Sequence, residues 1–124
     1  MSAVQIAELF RSVFEISPLG LALIRPDYRL AKVNASLSRM SGYSEAELTG
    51  MNPFDFTHPE DLEKSMALAQ SLFKGEIPFY QIEKRYVKKS GEIIWATLTA
   101  TILRDQQGRP WRACDGQPVT ALFG

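Results

Sequence analysis

His58 and Cys114 are the single histidine and the single cysteine of a 124-residue chain, and those counts bound the chemistry before any fold is considered. A zinc site of His/Cys type and a proton shuttle between two histidines both need more such ligands than the chain owns. One axial ligand to a haem iron is the metal chemistry that His58 leaves open. The residues after it point elsewhere: His58-Pro59-Glu60-Asp61 reads as a helix N-terminus, with proline preset at the first helical position and two acids where the helix dipole favours negative charge. Cys114 has no partner for an intramolecular disulfide. As a strand residue it reads as a small buried hydrophobe. Among the acids, Glu60, Asp61 and Glu63 belong to the helix start, and Glu83 falls two residues before Arg85 on one strand face, where a solvated ion pair is the default. There is no glycine-rich phosphate loop, nucleophile elbow or paired-carboxylate motif. The expectation is a domain with no catalytic residues and no metal site.

Composition narrows the class further. Apolar residues make up 45% and charged residues 23%, ordinary globular usage for one core. Lysine plus arginine and aspartate plus glutamate number 14 each, so no net field draws the domain to nucleic acid or to an anionic membrane. No apolar run approaches the roughly 20 residues of a spanning helix. The start Met1-Ser2-Ala3-Val4 lacks the layout of a secretion signal, and a cytoplasmic location is expected.

The elements that position these residues follow from periodicity. Ile6, Leu9, Phe10, Val13 and Phe14 recur at helical spacing and predict an amphipathic helix, which Ser17-Pro18-Leu19-Gly20 ends. The runs 21–24 and 29–33, joined through Pro26-Asp27, predict a hairpin. Asn34 caps a short helix stopped by Gly42, and Ser44 caps another with Glu47 in the capping-box position. A turn of structure at 52–56 precedes a helix from Pro59 to about Lys74, whose buried side is expected to carry Leu62, Met66, Ala69 and Phe73 with Leu68 and Leu72 beside them. Strands at 79–88 and 93–103 follow. In the second, Ile94, Ala96, Leu98, Ala100 and Ile102 alternate with Trp95, Thr97, Thr99 and Thr101, which separates a core face from a semi-polar one. A fifth strand is expected to begin at 110–114.

This order of elements resembles the PAS fold, and local motifs carry the likeness. They are Ser17-Pro18-Leu19-Gly20, Val33-Asn34, Ser41-Gly42-Tyr43-Ser44-Glu45-Ala46-Glu47-Leu48-Thr49-Gly50, His58-Pro59-Glu60-Asp61, Glu83-Lys84-Arg85-Tyr86, Lys89-Ser90-Gly91-Glu92-Ile93-Ile94-Trp95 and 105–108. The resemblance implies an α+β domain. Its five-stranded antiparallel sheet runs in the order 2-1-5-4-3 with helices cupping one face around a small cavity, and here an amphipathic helix precedes it at the N-terminus. Residues 1–16 are assigned to that helix, 17–114 to the PAS core and 115–124 to an atypical C-terminal segment, since Pro118 cannot donate within a central strand. The family's role implies a sensory or interaction module regulating an attached or partner histidine kinase, nucleotide cyclase or transcription regulator. A small ligand-binding enzyme of the cone-shaped α+β type is the rival, and would place an acid with a histidine or tyrosine inside its pocket.

The resemblance also implies where function sits. Leu37, Met40, Tyr43, Phe54, Phe56 and Met66 are expected to wall a cavity opposite Ala31 and Val33, with Asn34 and Tyr43 orienting a small apolar or amphipathic metabolite. Haem-binding relatives carry the ligand inside the long helix, and 59–74 hold no histidine. The flavin-adduct relatives carry their cysteine before that helix, whereas Met51-Asn52-Pro53-Phe54 has none. Neither cofactor is therefore expected. A homodimer is expected through Ile6, Leu9, Phe10 and Val13 of the first helix with Trp95 and Thr97 of the sheet.

Overall fold

In the computed structural model, which describes residues 2–25, 27–102, 107 and 120–123, each helix begins on a side chain that accepts one of its free N–H groups. Helix α1 (Ala3–Ile16) opens with a reciprocal capping box between Ser2 and Gln5. Strands β1 (Leu21–Ile24) and β2 (Leu30–Val33) lead into α2 (Ala35–Ser41), capped by Asn34 and ended by Gly42 in the left-handed region, where glycine meets no Cβ penalty. A second capping box, Ser44 with Glu47, starts α3 (Glu45–Leu48). A 3-10 turn (Pro53–Phe56) precedes α4 (Pro59–Phe73), whose cap is His58: its Nδ1 accepts the Glu60 N–H at 3.1 Å. The histidine is thus a helix cap, as the sequence indicates.

Strands β3 (Phe79–Val87), β4 (Ile93–Ile102) and β5 (Thr120–Phe123) complete one antiparallel sheet in the order β2-β1-β5-β4-β3. The longest ladder joins β3 and β4, from Phe79 opposite Thr101 to Val87 opposite Ile93. The strand anticipated at 110–114 lies outside the described residues, and so does Cys114. The strand seated between β1 and β4 is Thr120–Phe123, within the segment 115–124 that the sequence reading set apart from the core. Pro118 lies outside the described residues.

The inner face of the sheet and the helices form two clusters of buried residues. One gathers Leu72 of α4 with Tyr80, Ile82, Leu98, Ala100 and Ile102. The other gathers Ala22, Leu30, Val33, Leu48 and Phe56. In β4 the alternation holds, with Leu98, Ala100 and Ile102 buried and Trp95 and Thr97 exposed. Two other expectations shift. Pairing in the first hairpin steps from Leu23 opposite Lys32 to Ile24 opposite Leu30. Ala31 is the extra residue of this bulge, and Leu30 rather than Ala31 turns inward with Val33. In α4 the buried line is Ser65, Ala69 and Leu72, so Met66, 38% exposed, faces away from the core.

Helix α1 leaves much of its apolar side uncovered. Phe14 is buried, but Ile6, Leu9 and Val13 are exposed, and the helix touches the rest of the chain chiefly at α2. Among the described residues no helix is long and apolar enough to cross a membrane.

Candidate functional site

Among the described residues, two small cavities lie between the sheet and the helices. The larger, about 40 Å³, is walled by Leu37 and Met40 of α2, Phe56 of the 3-10 turn, and Tyr86, Ile94 and Leu98 of the sheet. The second, about 20 Å³, lies between Phe54, α4 and β3, with Tyr28, Tyr80 and Lys84 in its lining. Pro53, Tyr86 and Leu98 belong to both linings, so the two form neighbouring chambers. Each chamber has room for only a few water-sized groups. A cofactor-sized site is about 300 Å³ or more, larger than either chamber.

Of the expected cavity residues, Leu37, Met40 and Phe56 meet in the larger chamber and Phe54 walls the smaller. Tyr43 packs behind the wall, its ring 6.1 Å from that of Phe56. Asn34 and Met66 line neither chamber. Met66 is on the outward side of α4. Asn34 is fully buried, and its amide is consumed by the backbone. Its Oδ1 accepts the N–H groups of Leu21 and Leu37, both at 3.0 Å, and its Nδ2 donates to the carbonyls of Phe14 and Leu19, both at 2.9 Å. An amide offers two donors and an acceptor oxygen with two lone pairs, so none of this capacity remains for a ligand. Asn34 fastens α1, β1 and α2 together.

Lys84 is the residue that the sequence reading missed. It is 2% exposed, placed inward by the alternation Tyr80, Ile82, Lys84 along β3. Its Nζ donates to Thr57 Oγ1 at 3.2 Å and lies 4.8 Å from the centre of the Tyr86 ring and 5.9 Å from that of Phe54. Thr57 spends its own proton on the Pro53 carbonyl at 3.0 Å. Burial pulls the Lys84 ammonium down to about 8, against a smaller upward pull from the Asp61 charge. Asp61 itself is engaged elsewhere, held by Arg85, whose guanidinium also lies over the Trp95 ring. Burial likewise raises the Tyr80 hydroxyl to about 12 and raises that of Tyr86 as well.

Tyr28, the wall residue from the hairpin turn, has φ +68°, an uncommon conformation for a bulky side chain. Its ring meets those of Phe54 and Phe73 at 5.5 and 5.2 Å, contacts that offset the local cost and close the second chamber. The dimer residues expected on β4 and α1 are surface groups: Trp95 is 66% exposed, Thr97 is exposed, and so are Ile6, Leu9 and Val13. The Phe10 side chain lies outside the described residues.

A single antiparallel sheet with its helices gathered over one face around a small apolar cavity has the architecture of a sensory α+β domain. Residues 30–114 match the PAS fold, and the chain belongs to that family. It is 37% identical over 101 residues to the probable diguanylate cyclase DgcE of Escherichia coli (strain K12), an alignment covering 82% of this chain and 9% of that protein. It is 28% identical over 102 residues to the sensor histidine kinase TmoS of Ectopseudomonas mendocina, with 82% and 10% covered. The chain thus spans about a tenth of the length of these curated relatives. The crystal structure of a PAS domain from Colwellia psychrerythraea superposes with a TM-score of 0.78 at 14% identity, covering 96% of this chain and 95% of that one, and it shows the shared fold.

Proposed function

We propose that this chain is a cytoplasmic sensory module that admits a small apolar or amphipathic metabolite between its sheet and helices and passes the change to an output domain. The carrying observation is the pair of neighbouring chambers, apolar on the α2 side and bearing the buried Lys84 on the α4 side. Relatives that are a cyclase and a histidine kinase support an output of that class, in the same polypeptide or in a partner. The rival reading, a cone-shaped enzyme, needs a carboxylate in the pocket, and the described residues lining these chambers include none. Native mass spectrometry of freshly purified protein tests the proposal. A small organic adduct released on denaturation is expected. A single unliganded mass, with no thermal shift from a panel of small metabolites, overturns it.

A homodimer is the second part of the reading. The specific observation favouring it is the row Ile6, Leu9 and Val13, exposed on a helix that makes few contacts with its own domain, together with the exposed Trp95 on the outer sheet face. A second copy covering these surfaces would remove that apolar area from water.

A further inference from the structure

Lys84 is a buried cation with more hydrogen-bonding capacity than its surroundings use. An ammonium carries three donors, and among the described residues one acceptor, Thr57 Oγ1, is within hydrogen-bond reach. No carboxylate among the described residues pairs with it. The charge that acts on it, Asp61, receives the backbone N–H, Nε and a terminal nitrogen of Arg85 at 2.8 to 3.0 Å. The Tyr86 and Phe54 rings take up part of the charge, but a ring face replaces neither missing acceptor. The open space in the second chamber adjoins this amine, and beyond Tyr86 and Leu98 lies the larger, apolar chamber.

We infer that the chamber at Lys84 is the head-group subsite for a short-chain monocarboxylate, whose carboxylate is taken by Lys84 Nζ and whose alkyl tail lies against Tyr86 and Leu98 toward the larger chamber. This rests on the cavity reading proposed above and names the ligand class for it. A carboxylate supplies two acceptor oxygens, matching the two unused donors, in a site dry enough for a charge-assisted hydrogen bond to be strong. The lowered affinity of this amine for its proton has the same origin, burial without a counterion, and a bound anion relieves it.

The test compares butyrate with 1-butanol, equal in chain length and different in charge, by calorimetry and by the Lys84 ε-methylene signals of isotopically labelled protein. Butyrate should bind saturably and move the Lys84 signals. It should bind about tenfold or more tighter than butanol, the worth of one hydrogen bond to a charged group. Lys84→Met should abolish that preference while keeping butanol binding. Equal affinity for the two ligands in the unaltered protein overturns the carboxylate assignment and leaves the sensory reading standing. Binding of neither overturns the assignment too, and the sensory reading is then judged by the adduct mass. The Lys84 signals of the unaltered protein decide the matter without relying on the variant's folding.

Discussion

Asp61, in the first turn of α4, holds Arg85 of β3 by three contacts at once: it accepts the backbone N–H at 2.8 Å and the guanidinium Nε and a terminal nitrogen at 3.0 Å each. Beside them the His58 N–H donates to the Arg85 carbonyl at 2.9 Å, so the start of α4 is fastened to the sheet edge by backbone and side chain together. Contact with Arg85 depresses the Asp61 carboxyl from 3.8 to about 2. The folded state therefore binds its proton more weakly than the unfolded state, and the resulting stability is fully present above pH 3.8 and lost as pH falls toward 2. Asp61→Asn should lower the denaturation midpoint at neutral pH, and its gap from the unaltered protein should close on acidification to about pH 2. Glu60→Gln should have a smaller effect, because its carboxylate reaches Arg85 at 2.8 Å but is largely exposed. A gap that is constant across pH would show that the carboxylate charge contributes nothing.

Asn34 predicts a larger loss. Asn34→Ala removes the four hydrogen bonds of the amide, to the N–H groups of Leu21 and Leu37 and to the carbonyls of Phe14 and Leu19, and should cost about 3 kcal/mol or more in urea unfolding. Asn34→Asp keeps both acceptor contacts but turns an oxygen toward the two carbonyls, so it should also destabilise. Ligand affinity per folded molecule should be unchanged in either variant, because the side chain lines neither chamber. A specific loss of binding with stability intact would return Asn34 to the ligand site.

These residues also show what the sequence makes legible. Capping signals at Ser44, His58 and Gly42 are local, and the sequence places each of them correctly. The alternation in β4 is readable because both faces have distinct chemistry. Met66 misled because residue type stood in for helical phase: the buried line runs through Ser65, a polar residue that breaks the apolar pattern. Lys84 was hidden for the same reason. Lysine reads as exposed, although the period of two set by Tyr80 and Ile82 already points it inward. Asn34 was readable as a cap, but its three other contacts, to Leu21, Phe14 and Leu19, span 13 to 20 positions of sequence and have no local signature.

The exposed row on α1 gives a test of assembly. Ile6→Glu with Leu9→Glu puts two charges on a surface that already faces water in a single copy, so the isolated fold should lose little, within about 0.5 kcal/mol. If a second copy covers this row, sedimentation at micromolar concentration should shift from dimer to monomer. Trp95→Lys on the outer sheet face should weaken the dimer as well. Unchanged sedimentation for both variants would remove α1 and β4 from the interface.

Lys84 makes a prediction of opposite sign to the usual core substitution. Its ammonium is favoured in the unfolded chain, at about 10.5, over the fold, at about 8. Below pH 8 the folded protein carries the full cost of the buried charge, on the order of 3 kcal/mol. Between pH 8 and 10.5 the unfolded chain binds more protons, so stability should rise with pH. Above pH 10 the tyrosines reverse the trend: Tyr80 is raised to about 12 and Tyr86 is raised too, so the fold holds protons that the unfolded chain releases. Lys84→Met, similar in volume and apolar, should be more stable at pH 7 by about 2 to 3 kcal/mol. In a pH series of urea unfolding it should lack the rise above pH 8 and keep the fall above pH 10. A flat profile for the unaltered protein between pH 8 and 10 would mean that the amine finds solvent or an acceptor in the fold. A gain in stability for Lys84→Met would mean that the fold keeps a lysine there at an energetic cost, which a bound anion would offset.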